Sequence, residues 1–143
     1  YPDVYFSHGT GYMSNGKNFN NYFGRIYQAR YLAGIAAGMK TTTNKLGYVS
    51  AMGQENSECT GGINAFAMGA YSVNPDCEVY VKVTNSWYDP EGETQAAQAL
   101  IDAIPETVKT ISLLYCQIAS AAPSKGSSHI CYVGLVSILY TGC

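Results

Sequence analysis

Cys77-Glu78-Val79-Tyr80-Val81-Lys82-Val83-Thr84 runs straight into Asn85-Ser86-Trp87-Tyr88-Asp89-Pro90-Glu91-Gly92-Glu93. The first eight residues alternate between two faces and are rich in β-branched side chains, the period-two pattern of a strand. Asp89 then stands as a helix N-cap and Pro90 takes the first helical position, while Glu91 and Glu93 favour the positive end of the dipole. Ala97, Leu100, Ile101 and Ile104 continue at helical spacing. One strand therefore hands over to one helix, and the only tryptophan of the chain sits at the junction.

The same succession occurs twice upstream. Asp3 to Ser7 reads as a strand ending in His8-Gly9-Thr10-Gly11-Tyr12, followed by the Asn-rich residues 13–21. A helix over about 22–39 would be capped by Asn20 or Asn21 and would turn Ile26, Ala29, Leu32, Ala33, Ala36 and Met39 inward. Lys45 to Met52 reads as the second strand and Gly53-Gln54-Glu55-Asn56-Ser57 as its end. The helix expected over about 58–72, capped by Asn56 or Ser57, carries Gly61, Gly62 and Gly69, each costing up to ~1 kcal/mol unless close packing on a sheet compensates.

Three strand–helix units at this spacing predict an α/β fold, a parallel sheet with right-handed crossovers and flanking helices. The three strand ends would then open on one edge. His8 to Tyr12, Gly53 to Ser57 and Asn85 to Tyr88 are expected to be neighbours there, at the rim where α/β sheets bind ligands.

Composition narrows the function. Charged residues are 13% of the 143, about half the usual ~25%. A net charge of −2 with eight basic residues argues against a nucleic-acid surface. The five cysteines (Cys59, Cys77, Cys116, Cys131 and Cys143) form no C-x-x-C, and His8 and His129 show no ligand spacing. They read as buried or incidental thiols, with no metal or other cofactor expected. No apolar run approaches the ~20 residues that span a bilayer.

No nucleophile–base pair presents itself, and Gly9-x-Gly11 is too short for a dinucleotide fingerprint. No enzyme activity is expected. The candidate ligand-binding residues are His8, Thr10, Tyr12, Gln54, Asn56, Ser57 and Trp87. Each has a plainer reading: a strand-end His, a helix-capping loop, an indole that covers the sheet edge. The functional alternative is amide groups and uncovered helix N–H groups facing a solute, with the indole stacked on it.

Asn18-Phe19-Asn20-Asn21-Tyr22-Phe23-Gly24-Arg25 and the helix that follows, Lys45 to Gly53, Gly62 to Gly69, Val73-Asn74-Pro75 and Thr84 to Pro90 closely resemble the basic membrane protein family over roughly residues 1–103. Its members are lipid-anchored substrate-binding proteins of ABC transporters with the type I periplasmic-binding-protein fold, and those of known ligand bind purine nucleosides. The resemblance implies an incomplete two-lobed protein. Residues 1–17 would end the first Rossmann-like lobe and cross the hinge, and 18–103 would be part of the second lobe. By matching position, His8 and Thr10 stand where many relatives carry a cleft acid, and Trp87 where related sugar-binding proteins place an aromatic.

The resemblance further implies a nucleoside-like solute, an ABC permease partner, and an extracytoplasmic place at the bacterial membrane through a lipid anchor. A ligand-sensing regulatory protein on the same fold is the rival reading, and a non-functional fragment a third. After residue 103 the pattern stops. Residues 104–143 hold three charged residues, Glu106, Lys109 and Lys125, and two long apolar runs. A shifted reading frame or a misjoined fragment is the expectation there, with 130–140 able to serve as a fourth strand.

Overall fold

A computed structural model describes residues 1–104 in full, and the backbone of 110–114, 128–133 and 136–141. In chain order the elements are β1 (Phe6–Gly9), β2 (Phe19–Tyr22), α1 (Ile26–Lys40), β3 (Lys45–Ser50), α2 (Ser57–Val73), β4 (Glu78–Val83), α3 (Pro90–Ala103), β5 (Thr110–Leu114), β6 (Ser128–Val133) and β7 (Val136–Thr141). The fold is α/β. β3 pairs parallel with β4 on one side and with β5 on the other, so β3–α2–β4 and β4–α3–β5 are two successive crossover units.

The expected single sheet of three units is corrected at its start. β1 pairs with β2 in a separate two-stranded parallel sheet, Phe6 opposite Phe19 through Gly9 opposite Tyr22. Asn20 and Asn21 therefore lie in a strand and cap nothing, and α1 begins at Ile26 without a side-chain cap. The Asn-rich stretch supplies local amide bonds instead. Asn15 Oδ1 accepts from the N–H groups of Lys17 and Phe19, Asn18 Nδ2 donates to the carbonyls of Tyr1 and Val4, and Asn21 Nδ2 donates to Met13 O. Side-chain amides replace the ladder that a short strand pair lacks.

β3 is the centre of the core. Leu46 and Tyr48 pack with Ala33, Ala37, Phe66, Ala70 and Cys77 under the α1–α2 pair, and Val49 packs on the opposite face with Ala96, Ala97, Leu100 and Ile104. The inner face of α3 matches its sequence pattern. That of α1 does not: Arg30, Ala33, Gly34, Ala37 and Gly38 are buried, whereas Leu32 and Met39 are 65% and 73% exposed. The reason is the glycine contact between the helices. A Cβ on Gly34 would strike the Phe66 carbonyl, and one on Gly69 would strike that of Tyr31. The glycines of α2 are thus used against α1 rather than the sheet, and Gly62 makes room for Arg30; Gly61 faces open space.

Cys59 and Cys77 are buried free thiols, and burial raises the pKa of Cys77. Cys116 and Cys143 lie outside the described residues. The strand that follows α3 is β5, while 130–140 falls across the antiparallel β6–β7 pair, with β7 antiparallel to β5. The remainder of 105–143 lies outside the described residues. Among those described, no helix is long and apolar enough to cross a membrane, and no group of three His, Cys, Asp or Glu is placed to hold a metal.

Two outcomes follow from this packing. Gly69→Ala should lose at least about 2 kcal/mol in chemical denaturation through overpacking, whereas Gly61→Ala should be neutral or gain up to ~1 kcal/mol. Equal effects would mean that the helices are not in close contact. Burial pushes the Tyr48 phenol far above its ordinary value of 10.0, against a smaller opposing pull from Arg30. The folded state holds that proton after the unfolded state has lost it, so stability falls as pH rises past about 10. Tyr48→Phe should flatten that alkaline limb in melts recorded across the range.

Candidate functional site

The carboxyl ends of β3 and β4 carry two loops whose backbones are tied together. Thr84 N–H donates to Ser50 O at 2.9 Å and Ser86 N–H to Ala51 O at 3.1 Å. Ser50 Oγ donates to Met52 O at 2.8 Å, which turns the chain out of β3. Asn85 holds φ +57°, a left-handed conformation that Asn tolerates better than most residues. Ser86 Oγ then bonds both Tyr88 N–H and Tyr88 O, and Asp89 Oδ1 accepts from Gly92 N–H at 2.9 Å to cap α3. Trp87 is therefore carried on a strapped turn. The residue is 38% exposed.

Asn56 caps α2, its Oδ1 accepting from Cys59 N–H at 2.9 Å. That bond uses the acceptor and leaves the Nδ2 group for other partners. From below, Arg30 anchors this first turn. Arg30 is buried, 5% exposed, and an Nη donates to Glu58 O at 3.2 Å, while Nε finds no hydrogen bond. Holding a cation there costs desolvation, offset by the carbonyl of Glu58. The sequence signal for this brace is a lone arginine in an Ala- and Gly-rich helix, answered by Gly62 on α2.

The third wall comes from the chain after β1 and β2. Thr10 has φ +62°, unusual for a β-branched residue, and its N–H donates to Tyr22 O at 2.7 Å. Together these segments enclose a hollow of about 470 Å³ lined by Thr10, Tyr12, Phe23, Asn56, Ser57, Glu58 and Trp87. Such a volume falls within the ordinary range for small-molecule sites. A second hollow of about 560 Å³ lies between α1 and α2, walled mainly by Tyr27, Tyr31, Leu32, Ala65 and Met68. Gln28 and Asn64 also line it, but its surface is almost wholly apolar, whereas the strand-end hollow mixes polar and aromatic groups and is the better candidate.

Five of the seven residues singled out from sequence thus share one recess: Thr10, Tyr12, Asn56, Ser57 and Trp87. His8 and Gln54 do not line it. The His8 ring lies parallel to that of Phe19 at 6.5 Å and covers Gly11, and Gln54 stays in the exposed loop with its carbonyl toward Thr60 Oγ1. Phe23 and Glu58 line the recess but escaped sequence reasoning, because each sits one step past a predicted boundary. The chemistry on offer is three aromatic rings, an amide, three hydroxyl groups (one of them the Tyr12 phenol) and one carboxylate.

The family described as PnrA-like ABC transporter substrate-binding proteins matches residues 1–129. A Haloferax volcanii protein assigned as the glucose-binding protein of an ABC transporter is 49% identical over 102 residues, 71% of this chain and 25% of that protein. A purine-binding protein of Brucella abortus is 43% identical over 102 residues, 71% of this chain and 28% of that one. A metabotropic glutamate receptor-like protein K of Dictyostelium discoideum is 36% identical over 87 residues, 60% of this chain and 12% of that protein. The chain spans about a quarter of the length of the first two relatives. A family match over 129 of 143 residues, on an α/β sheet with a recess at its strand ends, establishes that this chain belongs to the PnrA-like ABC transporter substrate-binding proteins.

Proposed function

We propose that the chain is part of a solute-binding protein that delivers a purine nucleoside to an ABC permease, and that the strand-end hollow forms one wall of the ligand cleft. The observation that carries this reading is the convergence of Trp87, Phe23 and Tyr12 with Asn56, Ser57 and Glu58 in a single recess. Flat rings gain apolar burial and specific stacking on aromatic faces, and amide and hydroxyl groups read the polar edge. The role is capture rather than catalysis. A solute bridging this lobe and a second one favours the closed state by its differential affinity.

Glu58 sharpens the choice of solute. A carboxylate at the mouth of the α2 N-terminus already occupies the site where that dipole would attract an anion. A neutral ligand with hydroxyl donors suits it, and a phosphorylated one is repelled. In the whole protein, residues 1–17 would close the first lobe and cross the hinge, 18–103 would belong to the second, and a lipid anchor would hold the molecule outside the cytoplasmic membrane. The stretch after about 103 is proposed to follow a shifted frame or a misjoin; the two relatives align over 102 residues, while the family match continues to 129. Nucleotide sequence across the junction decides that point, and an uninterrupted frame with similar tails in complete relatives would end the idea.

The receptor-like relative favours a second reading, a ligand sensor on the same fold. A permease gene beside the complete gene supports transport, and an upstream regulatory domain supports sensing.

Calorimetry of the full-length protein with inosine, guanosine, ribose and glucose should show nucleoside binding, weakened by about 2 kcal/mol, roughly thirtyfold, in Trp87→Ala. A nucleoside monophosphate should bind more weakly than its nucleoside, with the gap narrowed in Glu58→Gln. Binding of glucose and no nucleoside would replace the ligand class; no binding of either would remove the reading. The left-handed Thr10 stores strain at the recess, so Thr10→Gly should raise stability by about 1 kcal/mol in denaturant titration. A loss of stability in that variant would mean that the threonine side chain is worth more than its backbone costs.

A further inference from the structure

β4 is the terminal strand of the five-stranded sheet, with order β4-β3-β5-β7-β6. Its hydrogen-bond phase is fixed by two contacts: Glu78 N–H donates to Asn44 O at 2.7 Å, and Thr84 N–H to Ser50 O at 2.9 Å. In a parallel pair alternate residues turn both backbone groups toward the neighbour, so Glu78, Tyr80, Lys82 and Thr84 face β3. The N–H and C=O groups of Val79, Val81 and Val83 therefore point away from the sheet, along its open edge. The strand has no proline and no interruption of its register with β3. Tyr80, Val81 and Val83 are each more than a third exposed.

Side chains alternate between the two faces, which puts Glu78, Tyr80 and Lys82 on one and the three valines on the other. Glu78 and Lys82 are opposite charges placed symmetrically about Tyr80. This pattern is complementary to itself in one orientation only. We propose that β4 pairs antiparallel with β4 of a second copy of this chain, about a twofold axis at Tyr80, to make one continuous sheet.

The register follows from the phase and the charges. Val79 lies opposite the second copy's Val81 and exchanges both N–H···O bonds with it, using the groups that β3 leaves free. Glu78 then lies opposite Lys82, twice by symmetry, as a non-hydrogen-bonded pair, the kind whose side chains are closest. A register shifted to put Val81 on the axis would set Glu78 against Thr84 and Lys82 against Tyr80, losing both ion pairs. Parallel pairing in register would set glutamate on glutamate and lysine on lysine. A lysine on an edge strand ordinarily blunts association; here Glu78 answers it. Because such an interface is small, the dimer is expected to be weak, with a dissociation constant on the order of 100 μM.

Sedimentation velocity of the 143-residue chain from about 10 μM to about 1 mM tests the proposal. Concentration-dependent dimerisation is expected, weakening as salt screens the ion pairs. Lys82→Glu should raise the dissociation constant at least tenfold, and the exchange Glu78→Lys with Lys82→Glu should restore it. Val81→Pro removes an outward N–H without touching a bond to β3 and should abolish the dimer, with far-UV circular dichroism confirming the fold of each variant. A chain that stays monomeric at the top concentration, a dimer indifferent to Lys82→Glu, or an exchange variant that fails to recover would each overturn the proposal.

Discussion

The contact on which this structure depends is the close crossing of α1 and α2 at Gly34 and Gly69, where each helix meets the other's backbone without an intervening side chain. That approach decides which face of α1 is inward and brings the small residues Ala33 and Ala37 over Leu46 and Tyr48 of β3. It also fixes where α2 begins. Arg30, trapped beneath Gly62, ties its guanidinium to the Glu58 carbonyl, so the first turn of α2 is held from below. The buried cation is an expensive brace, and an apolar helix pair would be cheaper; what it adds is a defined position for one helix end.

That helix end is one of three pieces that border the recess. The others are the strapped turn after β4 and the left-handed Thr10 after β1, each held by backbone hydrogen bonds to a neighbouring strand. Placing aromatic and amide groups on short, tied loops at the ends of paired strands gives them fixed directions with little ordering cost on binding. Tyr48 and Phe66, edge to face at 5.3 Å behind this rim, are part of the packed support rather than the recess.

The same sheet has a second character at its margin. β3 is covered on both faces and flanked on both sides, so its residues have no further role in recognition. β4 is flanked on one side only, and its backbone groups repeat the geometry that β3 already satisfies. Solute capture at the strand ends and self-association along the strand edge use different groups of the same element, the turn after it in one case and the outward valine amides in the other. Neither use requires the other.

The order of elements was legible in the residues because it rests on local physics. Period-two alternation marked β4, Asn56 and Asp89 capped their helices as side-chain chemistry requires, and Pro90 opened α3. Asn56, Ser57 and Trp87 follow β3 and β4 of one parallel sheet and so meet at its edge as the parallel connection requires, whereas Thr10 and Tyr12 reach the recess from the separate β1–β2 pair. Other features needed the third dimension. The Asn-rich segment paired as β2 with β1 outside the main sheet, His8 turned onto Phe19 and Gly11, and Arg30 rather than Leu32 faced inward. Periodicity says that a helix has a face and a strand has an edge. Which residues occupy them is settled only when a second backbone comes close enough to exclude a Cβ.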